Sequence, residues 1–256
     1  MKAHSEENIL NYSITREAQH SCIELIIKWL HEDEKGKFLV CANPHSLEIA
    51  ATDSIFSESI KKADLVIPDG IGIIMASIIL GGGIRERVTG NDIFLGVSKA
   101  LNKEKGYSYF FLGSYEDTLD RIKENMSRDF SNIQVVGTYS PPFKDEFSDE
   151  DTMQMIEAVN TAGPDVLWVG MTAPKQEKWI YNNKNKLNAK FIGAIGAVFD
   201  FYSGKVKRSH PLFQKFGLEW LPRLAREPHR LWRRIFISSP RFLFHVIQNI
   251  LKQNAK

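Results

Sequence analysis

Asp69 ends a short apolar run, Leu65-Val66-Ile67-Pro68, and is followed at once by Gly70. After an Ile-rich stretch come Arg85, Arg87 and the polar cluster Thr89-Gly90-Asn91-Asp92. A carboxylate at the end of a buried strand can take a proton from a hydroxyl. An arginine such as Arg87 can neutralise an anionic group through its forked, permanently charged guanidinium. In open α/β sheets ligands bind outside the carboxyl ends of the strands, where Asp69 falls. As a bare pattern, Pro-Asp-Gly is equally a turn with a solvated carboxylate. Asn43, just before Pro44, caps a helix start whose free N–H groups suit an anionic or polar ligand, and simple capping accounts for it as well.

These residues need a scaffold, and the spacing supplies one. Apolar positions at Cys22, Leu25, Ile26, Trp29 and Leu30 predict an amphipathic helix over 18–33. Strands are expected at 38–41, 64–67, 107–112, 133–136, 165–169 and 191–195. Helices are expected at 71–80, at 92–104 behind a Thr89 to Asp92 cap, and from Ser114 to about Arg128 with Asp117 completing a capping box. Two more follow, one opened by Ser148 and one over 174–186 capped by Thr172-Ala173-Pro174. Such alternation predicts an α/β chain: a Rossmann-like, mostly parallel sheet with helices on both faces. No GxGxxG follows a strand and no Walker loop is present, so a nucleotide would be held by other strand ends. Gly113, Tyr139, whose ring can stack on a base, and Gln176 in the first turn of its helix are the candidates. Lys175 reads as an exposed charge, and His45 is as easily a helix-surface residue as a site group.

The 256 residues, 43% hydrophobic and 25% charged, suit a globular chain with a proper core. Cys22 and Cys41 lie in apolar segments without metal-ligand spacing and read as buried thiols in a reducing compartment. The opening MKAHSEENILNY carries no secretory pattern, and no apolar run approaches the roughly 20 residues of a membrane span. The net charge of +2 hides an asymmetry. Residues 204–256 carry twelve Lys or Arg against two Glu, a net of +10, which leaves −8 for residues 1–203. The division predicted is a catalytic domain at 1–203 and a basic, helical, amphipathic appendage at 204–256. Aromatic and apolar residues interleaved with arginine suit a helix lying in an anionic bilayer interface. Packing of those aromatics on the core and a nucleic-acid patch are the rival readings.

The blocks ANPHSLEIA (42–50), ADLVIPDGIGI (63–73), RERVTGND (85–92), VGMTAPKQEKWI (169–180) and GAVFDFYSGKVKRSHP (196–211) resemble the WecG/TagA/CpsF family of glycosyltransferases. The resemblance implies an inverting, metal-independent enzyme with no cofactor. It would move N-acetylmannosamine from a UDP-sugar to undecaprenyl-diphosphate-linked N-acetylglucosamine in cell-surface polysaccharide or teichoic acid synthesis. Asp69 would be the base, Arg87 would meet the departing diphosphate, and Asn43 and Thr89 would orient the sugars. Arg223, Arg230 and Arg233 would reach the site from the appendage. Asp92 and Asp200 stay open as alternative bases or sugar-hydroxyl acceptors. The implied partners are a UDP-sugar, the lipid-linked acceptor and an anionic membrane, with no nucleic acid; a homo-oligomer off the membrane stays open. The implied place is the cytoplasmic face of a bacterial plasma membrane. Cys41 stands where relatives often carry Thr, and Thr172 where they usually carry Gly, so UDP-N-acetylmannosaminuronic acid or UDP-glucose remains an alternative donor. A non-catalytic UDP-sugar-binding protein at the membrane surface is the alternative from another class.

Overall fold

A computed structural model describes residues 4–32, 34–207, 221, 224 and 228–254. Its centre is a six-stranded sheet in the order β4-β3-β8-β7-β5-β6, parallel throughout. The strands are β3 (Lys37–Ala42), β4 (Leu65–Pro68), β5 (Ser108–Gly113), β6 (Gln134–Tyr139), β7 (Val166–Gly170) and β8 (Phe191–Ala194). Ahead of them β1 (Glu6–Ile9) and β2 (Tyr12–Thr15) form an antiparallel hairpin. Leu10 and Asn11 both turn through positive φ, 51° and 68°, as a two-residue hairpin loop requires.

Strand alternation sends side chains to two apolar layers. Phe38, Val40, Leu167 and Val169 face one layer, built with α2 (Pro44–Ala50), α3 (Ser54–Lys61), α4 (Ile71–Ile79), α7 (Asp149–Ala162) and α8 (Lys175–Asn183). Leu39, Leu65, Ile67 and Trp168 face the other, built with α1 (Gln19–His31), α5 (Gly90–Leu101), α6 (Glu116–Asp129) and α9 (Val198–Tyr202). The predicted class and covering are present. The hairpin, α3 and α9 were not anticipated, because each is too short to show a sustained period.

Several local expectations are corrected. Ser114 does not cap α6: its φ is 59°, its carbonyl accepts from Ser140 Oγ at 2.8 Å, and Tyr115 takes the N-cap position. Thr172 does not cap α8. Pro174 holds that position and Thr172 contributes only its carbonyl, to Lys175 N at 2.9 Å. The helix expected over 174–186 closes at Asn183 and passes into a 3₁₀ turn. Lys175 is half-buried rather than exposed, with Nζ donating to the Lys144 carbonyl at 2.7 Å and lying 4.7 Å from the Phe147 ring centre.

The C-terminal stretch ends in α10 (Pro228–Arg233), a π-helical turn (Arg234–Ser238) and α11 (Ser239–Asn254). Phe242 and Val246 of α11 are fully buried in the first layer. Among the described residues no helix is long and apolar enough to cross a membrane.

The chain leaves β3 towards β4 on one side and β5 towards β6 on the other, so the loops diverge above the middle of the sheet. One close approach positions the nearer rim: a Cβ at Gly72, in the first turn of α4, would overlap Pro44 Cγ at the start of α2. Gly72→Ala is therefore expected to push the two helix starts apart and cost on the order of 1–3 kcal/mol. Thermal denaturation of the variant against the parent checks this.

Candidate active site

A cavity of about 1260 Å³ lies over the carboxyl ends of all six strands. Its first wall is the rim made by β3 and β4. The Asp69 N–H donates to the Ala42 carbonyl at 2.8 Å, which sets the half-buried Asp69 carboxylate beside Asn43. Gly70 turns away with a φ of 142° that a side chain would resist. Asn43 is a true cap: its Oδ1 accepts from Ser46 N at 3.0 Å, and its own N–H donates to Ser46 Oγ at 2.9 Å. The Val88 N–H donates to the Pro68 carbonyl at 3.1 Å and so holds the Arg87 loop against the same strand end. Asn43, Asp69, Arg87 and Thr89 all line the cavity.

Asp92 does not line it. Its Oδ2 accepts from Thr89 N at 3.0 Å and from Thr89 Oγ1 at 2.7 Å, which completes the capping box of α5. Gly113 packs against the Gly170 carbonyl and lies outside the lining, as does Tyr139, whose hydroxyl donates to Gln154 Oε1 at 3.1 Å. Asp200 lines the cavity. Gln176 lines it too, but is buried with Oε1 taken by Met171 N at 3.2 Å. Arg223 lies outside the described residues, as does the side chain of Arg230. Arg233 is exposed and outside the lining; the next residue, Arg234, is half-buried and lines the cavity.

Four groups that sequence reasoning did not single out complete the site. Tyr115 and Phe143, at the ends of β5 and β6, stack with ring centres 6.1 Å apart at 19°, and Lys205 Nζ lies 4.8 Å from the Tyr115 ring. This pair stands where Tyr139 was expected to offer an aromatic face. Its only signal was an exposed aromatic in each strand-end loop. Arg234 is hidden in a run of basic residues. Glu177 is a carboxylate on the apolar side of α8, between Gln176 and Trp179.

Burial controls protonation here. The Cys41 thiol donates to the Ala194 carbonyl at 3.5 Å; burial first, then the Asp69 and Glu177 charges, push it well above its usual range. It therefore stays protonated and is no nucleophile. Burial, then the Arg234 and Arg233 charges, lower His45 to about 4, and its Nδ1 meets Ser238 Oγ at 2.9 Å. The C-terminal segment is further tied to α2 through Glu48, which receives His245 Nδ1 at 2.8 Å and Arg241 Nε at 3.2 Å. Among the described residues no group of three or more His, Cys, Asp or Glu stands ready to hold a metal ion.

Fold and site together define an open-sheet α/β protein whose crevice over the strand ends gathers a carboxylate, arginines and a stacked aromatic pair. The profile of the glycosyl transferase WecG/TagA/CpsF family matches residues 7–256, and the chain belongs to that family. It is thus a glycosyltransferase of the hexosyl-transferring kind. Among similar curated proteins is an N-acetylglucosaminyldiphosphoundecaprenol N-acetyl-beta-D-mannosaminyltransferase of Bacillus spizizenii, 31% identical over 219 residues, 85% of this chain and 81% of that one. Proteins of the same name from Bacillus subtilis and Staphylococcus aureus MRSA252 are 26% and 27% identical. The former match covers 94% of this chain and 91% of the relative, the latter 84% and 82%.

The His45 shift sets a pH dependence. Unfolded His45 takes a proton near 6.5, whereas the folded site resists it until about 4. As pH falls through that window the unfolded chain binds the extra proton and stability is lost. Melting temperature is expected to fall across the window, and to fall less in His45→Gln, as a pH series of thermal melts would read.

Proposed function

We propose that this protein moves an N-acetylmannosaminyl group from a UDP donor to undecaprenyl-diphosphate-linked N-acetylglucosamine, with inversion and without a metal. The observation that carries the reading is one cavity lined by the Asp69 carboxylate and the Arg87 and Arg234 side chains. The names of three relatives supply the sugar and the lipid acceptor.

In this reading the acceptor hydroxyl attacks the anomeric carbon from the face opposite UDP. The new C–O bond forms as the bond to the diphosphate breaks, and Asp69 takes the hydroxyl proton. UDP leaves with the electron pair, and Arg87 and Arg234 stabilise the charge that develops on it. Tyr115 and Phe143 offer the base an aromatic face at the far end of the cavity. Asn43 and Thr89 orient the sugars. In this reading Arg223 and Arg230 add positive charge.

Asp69→Asn is expected to lower transfer by roughly 10²–10⁴-fold while UDP binding persists. Turnover of that variant at the parent rate would remove Asp69 from the mechanism. A panel of UDP-sugars with the lipid-diphosphate acceptor identifies the donor, and transfer should survive EDTA.

In this reading the lipid-linked acceptor brings the protein to a membrane surface, the cytoplasmic face of the plasma membrane. Support comes from Phe236 and Phe244, 59% and 57% exposed on the segment that also lines the cavity, with Trp232 and Leu251 exposed nearby. Apolar side chains among Arg233 and Arg241 suit an anionic interface. Phe236→Glu/Phe244→Glu is expected to abolish sedimentation with anionic vesicles and leave the melting temperature within a few degrees of the parent. Retained vesicle binding would exclude these two rings from the interface.

A further inference from the structure

Glu177 lines the same cavity and has no part in the transfer step above. The residue is 2% exposed, and its Oε1 accepts from Gln176 Nε2 at 2.8 Å. Its Oε2 is buried with no hydrogen-bond partner among the described residues. A buried ionised oxygen without a donor is costly, whereas a buried neutral acid lacks only an acceptor for its proton. Facing groups come from several elements: Arg234 from the π-helical turn, Cys41 from β3 and Asp69 beyond it. His45 of α2 and Arg233 flank Arg234. On the α3 side, Lys178 is already bound to Asp53 at 2.9 Å. Burial pushes Glu177 up to about 7, outweighing the bond from Gln176, its own backbone N–H and the Arg234 charge, which all favour ionisation.

We propose that Glu177 binds the donor as a neutral carboxylic acid, its side chain rotating so that the Oε2–H turns into the cavity and donates to an oxygen of the nucleoside diphosphate sugar, and donor binding thereby takes up a proton. The inference rests on the reading of the cavity as a nucleoside diphosphate site. An anion brought into that cavity disfavours the ionised carboxylate, and the new hydrogen bond favours the acid, so both effects act in one direction. The proton comes from solvent and stays on Glu177 while the ligand is bound; no covalent bond changes. The two carboxyls then divide their work, Asp69 ionised to accept a proton and Glu177 neutral to donate a hydrogen bond.

The test is calorimetric titration of the full chain with UDP in buffers of differing ionisation enthalpy. At about pH 8 binding is expected to take up on the order of one proton, falling towards none at about pH 6, where Glu177 already carries it. Glu177→Gln, which copies the shape of the neutral acid, should bind UDP without that uptake and stay folded as judged by its melt. Equal uptake in parent and variant, or none in the parent, overturns the proposal and leaves the donor reading standing. Failure of the parent to bind UDP at all overturns both. Should the variant not fold, the parent decides alone. Its UDP affinity is expected to be flat up to about pH 7 and to weaken by about tenfold per unit above it, and a flat profile throughout overturns the proposal.

Discussion

The short bond from the Asp69 N–H to the Ala42 carbonyl extends the β3–β4 pairing one residue beyond its last register pair, Ala42 with Pro68. That one extra rung brings a carboxylate and the Asn43 cap onto the same rim. The tight seat of Gly72 on Pro44 keeps the two following helices from drifting apart. The Arg87 loop is hung from the same strand end through Val88. Parallel pairing thus does more than build the core: its register decides which side chains of separate loops share one space.

That space mixes opposite charges, and desolvation sorts them. Carboxyls and a thiol rise in pKa when water is excluded, and an imidazole between arginines falls. Cys41, Glu177 and His45 all move towards their neutral forms for this reason. Neutral groups around the cavity add little repulsion towards an anion.

The C-terminal segment belongs to this arrangement rather than standing apart from it. Phe242 and Val246 anchor α11 in the core, and Glu48 ties Arg241 and His245 to α2. With that docking in place, Leu231, Arg234 and Leu243 form one side of the cavity. The same helix leaves Phe244, Ile247 and Leu251 outward, so one element has an inner face for the site and an outer face for another surface. Packing on the core and exposure of apolar side chains are both true of it, on different faces.

The sequence by itself determined the alternation of strands and helices, the capping of α2 by Asn43 and of α5 by Thr89, and the place of Asp69 at a strand end. These are local matters: periodicity, cap chemistry and a Pro-Asp-Gly stop act within a few residues of one another. Short elements escaped it, since the hairpin, α3 and α9 owe their existence to packing more than to pattern. Tertiary structure alone decided that Asp92 spends its carboxylate on a cap, and that Tyr115 and Phe143 rather than Tyr139 face the cavity. It likewise chose Arg234 over Arg233, since neighbouring residues on a helical turn point in different directions and only docking against α2 selects the inward one. Glu177 is the plainest case, a charge by its letter whose carboxyl is pushed up to about 7 by burial that residues far apart in the chain create together.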